Sequence, residues 1–455
     1  MCNLPHLPPI LKKNTHRNLK LLNIVRVTKT PVPSKVFYLN DPILIDWRVN
    51  FLSGEKTVGV KPVFKKVLTD VDRGIYVESW EVSNEDFGLD GRWCIKKCRL
   101  RGGTSEGVDI ITVDNGALSF TVIPTRGMGI WKGEFKGLPL GWESPVKSPV
   151  HPHYINLEAR GGLGWLDGFN EWVVRCGLGS LGAPGIDTII DNMGRRREVM
   201  LTLHGRIANI PASEVKCRVY LEPSVKLSVE GVVYERSMFG PNLKMTTEIS
   251  TTPNSNTLKI TDRIENLKST PDEMQILYHC NYGVPLLEDG ARLVAPFHKV
   301  APRDERAAEG IESFDEFGPP ESGFVEQVYF CKLVGDGRGY TKAALLNRDR
   351  TRAASISFSL SELPYFTVWK NTNSLEEGYV MGLEPGTSFP NHKSFERRMG
   401  RVVNLKPGET YEVTLELSAH VGAEEVRRLE DEIEGLMEGV ETEIFRNPVE
   451  GFSPT

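Results

Sequence analysis

The sequence lacks a long apolar run, a strong excess of one charge, and a cysteine arrangement of metal-binding type. Its 455 residues contain no stretch long and apolar enough to span a bilayer. The net charge is −5, which makes no electrostatic case for nucleic acid or an anionic membrane surface as a partner. Seven cysteines are scattered along the chain. Cys94 and Cys98, in CIKKC, form the one close pair, and a zinc site would want a second. Reduced thiols and a cytoplasmic location are therefore expected. The opening MCNLPHLPPILKKNTHRNLK has neither the uninterrupted apolar core nor the small-residue cleavage site of a secretory signal. The glycine-rich run GLGSLG, Gly177–Gly182, is not set between a strand and a helix, so it does not read as a nucleotide loop. Internal repeats and a regular β-α-β alternation are missing too.

What is present is the texture of many short strands. Glycine (43) and proline (29) punctuate a chain that is 40% hydrophobic and 25% charged. GVDIITVDNGALSFTVIPTRGMGI places two strand-like runs around DNG, a hairpin signal. VKLSVEGVVYE, LKMTTEISTT and TLKITDRIEN follow, and then AASISFSL, PYFTVWKN, YVMGLEP and YEVTLELSAHV. Strand length and spacing predict an all-β, antiparallel sandwich with few helices. Residues 1–75, basic and proline-containing, read as a poorly defined extension, residues 76–422 as the β domain, and residues 423–455 as a helix and tail. In that helix Val426, Leu429, Ile433, Leu436 and Met437 recur at helical spacing, which predicts packing against the domain.

Chemistry gathers at three places. Glu384 stands at the end of an apolar run, before Pro385 and Gly386, where a carboxylate is either a buried ion-pair partner or a general base. His279 closes another apolar run, with Asn281 on the same alternation. His204 precedes a glycine, and on a strand Arg206 would share its face. Each histidine alone reads more readily as a hydrogen-bonded residue at a strand end. Together, two imidazoles, a carboxylate and a guanidinium suit reversible proton transfer on a sugar.

These segments resemble those of a known superfamily. LEPGTSFPN resembles the segment that carries the catalytic glutamate of aldose 1-epimerases (galactose mutarotases). ILYHCNYG resembles the strand carrying their acid histidine, and LHGRIANIPA their histidine-glycine segment. LRGGTSEGVDIITVDNG, PTRGMGIW, GWESPVKSPVHP and GGLGWLDGFNEWVVRCGL are similar to blocks of an uncharacterised bacterial branch. The resemblance runs from about Trp93 to Val421. It implies a galactose mutarotase-like β-supersandwich that binds a small-molecule carbohydrate without cofactor or metal. It also implies roles: Glu384 as the base at the anomeric hydroxyl, His279 as the acid at the ring oxygen, and His204 as a hydrogen-bonding partner that supports charge near that oxygen. Arg206 would orient a hydroxyl, and Arg126, Glu171, Arg175, Asn281, Trp369 and Lys370 would be further substrate contacts. The mutarotase pattern has a sugar-binding aspartate between acid and base, for which Asp304 is the candidate. RGMGIW and GWLDGFNEW depart from that pattern and point to a modified or acidic sugar, which Arg126 and Arg175 could hold; equally, the two arginines could pair with Asp167 and Glu171. A lyase or hydrolase on the same scaffold, or a carbohydrate-binding protein without catalysis, are the alternatives. The oligomeric state is left open.

Overall fold

The DNG signal forms the hairpin its chemistry dictates. Asp109–Asp114 pairs antiparallel with Leu118–Ile123. The Asn115 side-chain oxygen accepts the backbone N–H groups of Ala117 and Leu118, at 2.9 and 2.8 Å. Gly116 has φ +98°, and a Cβ there would lie 2.5 Å from the Arg92 carbonyl. In this computed structural model the described residues are Arg48–Val49, Val60–Lys61 and 63–454.

Among the described residues such hairpins build two large sheets, of 14 and 11 strands. The first runs from the edge Glu443–Ile444 through Phe297–Pro302, Gln327–Leu333, Tyr365–Thr372, Tyr379–Gly386, Asp272–Tyr282 and Val173–Leu178. It continues through Gly129–Phe135, Leu118–Ile123, Asp109–Asp114 and Cys94–Arg99 to Trp80–Ser83. The second sheet centres on Thr410–Val421, Thr257–Asn266, Asn242–Thr251 and Lys226–Arg236. The two sheets share one apolar core: Tyr278 and Cys280 of the first meet Ile249 and Ile260 of the second in a single cluster. The antiparallel sandwich anticipated from strand spacing is therefore the architecture.

Burial differs between the sheets. Thr257–Asn266 alternates, with every second residue buried, because its outer face meets water. Tyr379–Gly386 is buried at every position, and Asp272–Tyr282 at nine of its eleven. Both faces of these strands are covered, and what covers the outer face includes Trp165, Phe169 and Leu203 from the connecting segments. That is why alternation is weak in the sequence there.

Most of the expected extension 1–75 lies outside the described residues. Within it, Val63–Asp70 is a strand of the second sheet and pairs with Glu214–Tyr220, so the boundary drawn at residue 75 falls after a strand of the sandwich. The terminal helix covers Ala423–Gly435. Val426, Leu429 and Ile433 pack on Ala344, Leu346 and Ala353 of the second sheet, while Leu436 and Met437 lie past the helix end.

Candidate functional site

The site grows out of strand register. Asp272–Tyr282 lies between Val173–Leu178 and Tyr379–Gly386. Cys280 opposes Leu383 and Leu277 opposes Gly386, which sets His279 across from Glu384 on the covered outer face. On the next strand Thr367 opposes Glu384, and Trp369 opposes Gly382. Gly382 is required for this closeness: a Cβ there would lie 2.6 Å from Glu384 Oε1 and 3.1 Å from the His279 ring.

His279 Nε2 and Glu384 Oε1 are 3.2 Å apart, with both side chains nearly sealed from solvent. The contact is close but poorly aligned, so Glu384 Oε1 has no hydrogen-bond partner in the protein. Asn281 fixes the histidine tautomer. Its Nδ2 donates to the carbonyls of Glu171 and His279, so its Oδ1 faces His279 Nδ1 at 2.6 Å. Nδ1 therefore carries a hydrogen, and Nε2 of the neutral ring is a bare acceptor toward Glu384. Two bare acceptors 3.2 Å apart would repel, so the pair is stable with one proton on one of its two members. Burial, reinforced by the neighbouring Glu326 and opposed by Arg303, pushes the Glu384 carboxyl well above its ordinary range. Burial, reinforced by His204, pulls His279 well below its own. Both shifts favour the neutral pair, with the proton on Glu384.

His204 arrives by a different route from the one its sequence suggests. The segment around it is a turn, and His204 itself has φ +56°, so the expected strand geometry with Arg206 does not form. The turn is clamped to the end of Val173–Leu178: Gly177 N–H donates to the His204 carbonyl at 3.0 Å, and Arg206 N–H to the Gly177 carbonyl at 2.9 Å. His204 Nδ1 donates to the Leu181 carbonyl at 2.9 Å, which leaves Nε2 as an acceptor. Burial holds its pKa down, to about 4, against the pull of the Leu181 carbonyl and Glu326. The His204 and His279 rings are 5.6 Å apart. Trp165, Phe169 and Trp369 enclose them, with ring separations of 4.6 Å from Trp165 to His204 and 5.2 Å from both Phe169 and Trp369 to His279.

His204, His279, Glu384, Asn281 and Trp369 thus come together. Arg206 is exposed beside that turn and makes no close contact with the pair. The remaining candidates are engaged elsewhere. Arg126 is fully buried against Glu171, at 2.6 Å, and donates to Asn209. Glu171 touches the site only through its carbonyl, which Asn281 uses. Arg175 points to the opposite face of the sheet and grips Asp262 of the second sheet with two hydrogen bonds, at 2.5 and 3.0 Å. Asp167 pairs with Arg160 rather than with either of these arginines. Lys370, one residue from Trp369, also faces away, donating to the Ser313 and Glu316 carbonyls. Its burial lowers its pKa to about 8. Asp304 caps the short helix Glu305–Ala308 and pairs with Arg303 at 2.7 Å.

Sequence reasoning missed Glu326 and Arg303. Glu326 accepts the Trp369 indole N–H at 2.7 Å and pairs with Arg303 at 3.0 Å. It thereby sets a partly exposed carboxylate close enough to bias both Glu384 and His204. Nothing around it in GFVEQVYF announces this. Trp165 and Phe169 stand in GGLGWLDGFNEW, a block that already stood out, although its aromatics did not read as a lining. At GLGSLG, the buried Glu235 accepts the N–H groups of Leu178 and Gly179.

The chain matches the family model described as "Domain of unknown function (DUF4432)" over residues 105–419. No curated protein matches it. Among solved structures, a "putative aldose 1-epimerase" from Klebsiella pneumoniae is 34% identical, with a TM-score of 0.80 over 85% of this chain and 99% of that one. A galactose mutarotase-like protein from Clostridium acetobutylicum is 18% identical, with a TM-score of 0.46 over 72% of this chain and 98% of that one. A galactose 1-epimerase from Lactobacillus acidophilus is 13% identical, with a TM-score of 0.44 over 72% and 99%. The last two add nothing to what the first supports. The chain belongs to the DUF4432 family and has the galactose mutarotase-like β-supersandwich fold.

Proposed function

We propose that the protein is a carbohydrate 1-epimerase that opens and recloses the ring of a reducing sugar by acid/base catalysis. The observation that carries this is the sealed His279–Glu384 contact, an imidazole nitrogen and a carboxyl oxygen 3.2 Å apart. The ring oxygen and the anomeric hydroxyl of a sugar sit on one carbon, so an acid and a base serving them must be near neighbours. Ring opening starts when the proton of the neutral pair passes from Glu384 to His279 Nε2, which leaves Glu384 ionised. Nε2 gives its proton to the ring oxygen, and Glu384 takes one from the anomeric hydroxyl. The pair ends neutral, still holding one proton. Rotation about the first carbon-carbon bond presents the other face of the aldehyde, and the same two transfers in reverse close the ring.

Because the proton count of the pair never changes, the buried site has no net charge to accommodate during the cycle. The unpartnered Glu384 oxygen is free to meet the anomeric hydroxyl. His204, neutral and with Nε2 as an acceptor, suits receiving a sugar hydroxyl better than supporting charge at the ring oxygen. The indole and phenyl rings can cover the apolar face of the sugar. Carboxylate and imidazole supply both proton transfers, so the reaction as written needs no cofactor.

The test is exchange spectroscopy between anomers of a panel of reducing aldoses, with the products weighed by mass spectrometry. The protein should speed exchange of at least one aldose with no change of mass. His279→Gln should slow it by about 10²–10⁴-fold. A change of mass would move the assignment to a lyase or hydrolase, and no acceleration with any aldose would end the epimerase reading.

A further inference from the structure

A groove lies on the same face of the first sheet as the catalytic pair. Its place follows from register. Val174 opposes His279 and shares its face, whereas Val173 opposes Ile130 and points to the core. One residue past Ile130, Trp131 returns to the face of His279, where it packs on Ile110 and Ile123. An irregularity in the pairing with Leu118–Ile123 brings Lys132 to that side too, opposite Thr121. The segment Leu140–Ser144 crosses this face, and beyond it opens a cavity of about 550 Å³. That lies within the roughly 300–1,000 Å³ of small-molecule sites.

The lining has the chemistry of a saccharide site. Trp131 and Trp142 are half-buried indoles that offer apolar surface to the C–H face of a sugar ring. Thr121 and Ser119 bring hydroxyls, and Lys132 and Glu134 bring exposed donors and acceptors at the rim. Asn170, 3% exposed, lines the cavity with its Nδ2 held by the Val146 carbonyl at 2.9 Å, and its Oδ1 is buried with no hydrogen-bond partner. Charge cancels: Lys132 and Lys147 face Glu134 and Glu143, and Lys147 lies 3.8 Å from Glu143. A balanced lining selects neither anions nor cations. Lys132 Nζ sits 4.4 Å from the Trp131 ring centre, an exposed contact that a ligand can displace. Trp142 forms the wall on the catalytic side. It packs on Phe169 at 5.0 Å, and Phe169 packs on His279 at 5.2 Å.

We propose that this groove is a second saccharide-binding subsite, which takes an uncharged sugar unit stacked on Trp131. The choice of ligand rests on the carbohydrate reading of the catalytic site, but the binding does not depend on turnover.

Full-length Glu384→Gln protein should be titrated with neutral maltose-, cellobiose- and lactose-type di- and trisaccharides, with binding followed by saturation-transfer NMR. At least one should bind saturably, with transfer to the ring C–H protons. Trp131→Ala should weaken that binding at least tenfold, and Glu134→Ala, a rim change that leaves the core alone, should weaken it severalfold. Absence of saturable binding across the panel, or binding indifferent to both substitutions, overturns the proposal. Anomer exchange by the parent protein is scored separately, so loss of the subsite and loss of the epimerase reading are distinct results.

Discussion

Two buried polar clusters lie back to back on one strand. Tyr278 and His279 are neighbours, and alternation sends one into the sandwich and the other to the covered outer face. On the inner side, Arg175 holds both oxygens of Asp262, while Tyr278 and Thr247 donate to the same carboxylate at 2.7 and 2.6 Å. Every oxygen of that acid is used. On the outer side, Glu384 Oε1 lies 3.2 Å from His279 Nε2 in a misaligned contact and has no hydrogen-bond partner. Burial is the same in the two clusters; satisfaction is not. A saturated cluster has nothing to offer a ligand and acts as a staple between the sheets. An unsaturated one is held in place at a cost in stability, which is what a site for proton transfer requires.

The comparison can be broken most easily from the inner side. Arg175→Met leaves Asp262 as an uncompensated buried charge and should cost about 3–5 kcal/mol of stability. Chemical denaturation would read this, and a loss below about 1 kcal/mol would mean that the inner cluster is no staple. Next in size is Asn281→Ala, which removes the acceptor fixing the His279 tautomer. It should lower turnover roughly 10- to 100-fold through misplacement of the acid, with a smaller change in KM. An unchanged turnover number would show that the tautomer is set elsewhere.

The smallest effect is a pH dependence, and its sign follows from the shared proton. The native pair holds one proton. An unfolded chain holds one as well between the ordinary carboxyl value of 4.5 and the ordinary imidazole value of 6.5. Above 6.5 the unfolded pair has none, so stability from this pair falls as pH rises, by up to about 1.4 kcal/mol per pH unit. Below 4.5 the unfolded pair has two, and stability falls as pH falls. Glu384→Gln should abolish the alkaline loss and move the onset of the acid loss up to 6.5, where the unfolded imidazole takes up a proton. Melting curves of parent and variant from pH 6 to 8 would converge or diverge accordingly, and parallel curves would contradict a proton shared at neutral pH.

Much of this was readable from the chain, for identifiable reasons. The hairpin at Asn115–Gly116, the strand runs and the apolar stripe of the terminal helix follow local rules that the fold did not override. His279, Asn281, Glu384 and Trp369 could be paired up because strand alternation is local and because motif resemblance tied their strands together. Arg126, Arg175 and Lys370 looked like substrate contacts because a charged residue beside a motif carries no mark of which face it occupies. Arg175 and Lys370 are directed by alternation to the wrong side for contact with the pair, and Arg126 is consumed by Glu171. With Arg126 and Arg175 engaged in this way, the case for an acidic sugar loses its main support. His204 escaped the strand rule because its backbone is left-handed, a conformation to which a following glycine only hints. Glu326 reaches the site from the end of a strand that pairs with the Trp369 strand but lies some forty residues away in sequence, a pairing that no local pattern encodes.

One buried carboxylate works and the other holds. Glu384→Gln and Asp262→Asn should be measured side by side for anomer exchange and for melting temperature. Glu384→Gln should lose exchange by about 10²–10⁴-fold while melting at or above the parent temperature, since a glutamine, unlike a carboxylate of raised pKa, need not take up a proton to be buried. Asp262→Asn should melt several degrees lower, and the fraction still folded should exchange anomers near the parent rate. If Glu384→Gln instead melts early and its folded fraction exchanges anomers normally, Glu384 is the staple, and the catalytic assignment of the outer cluster is wrong.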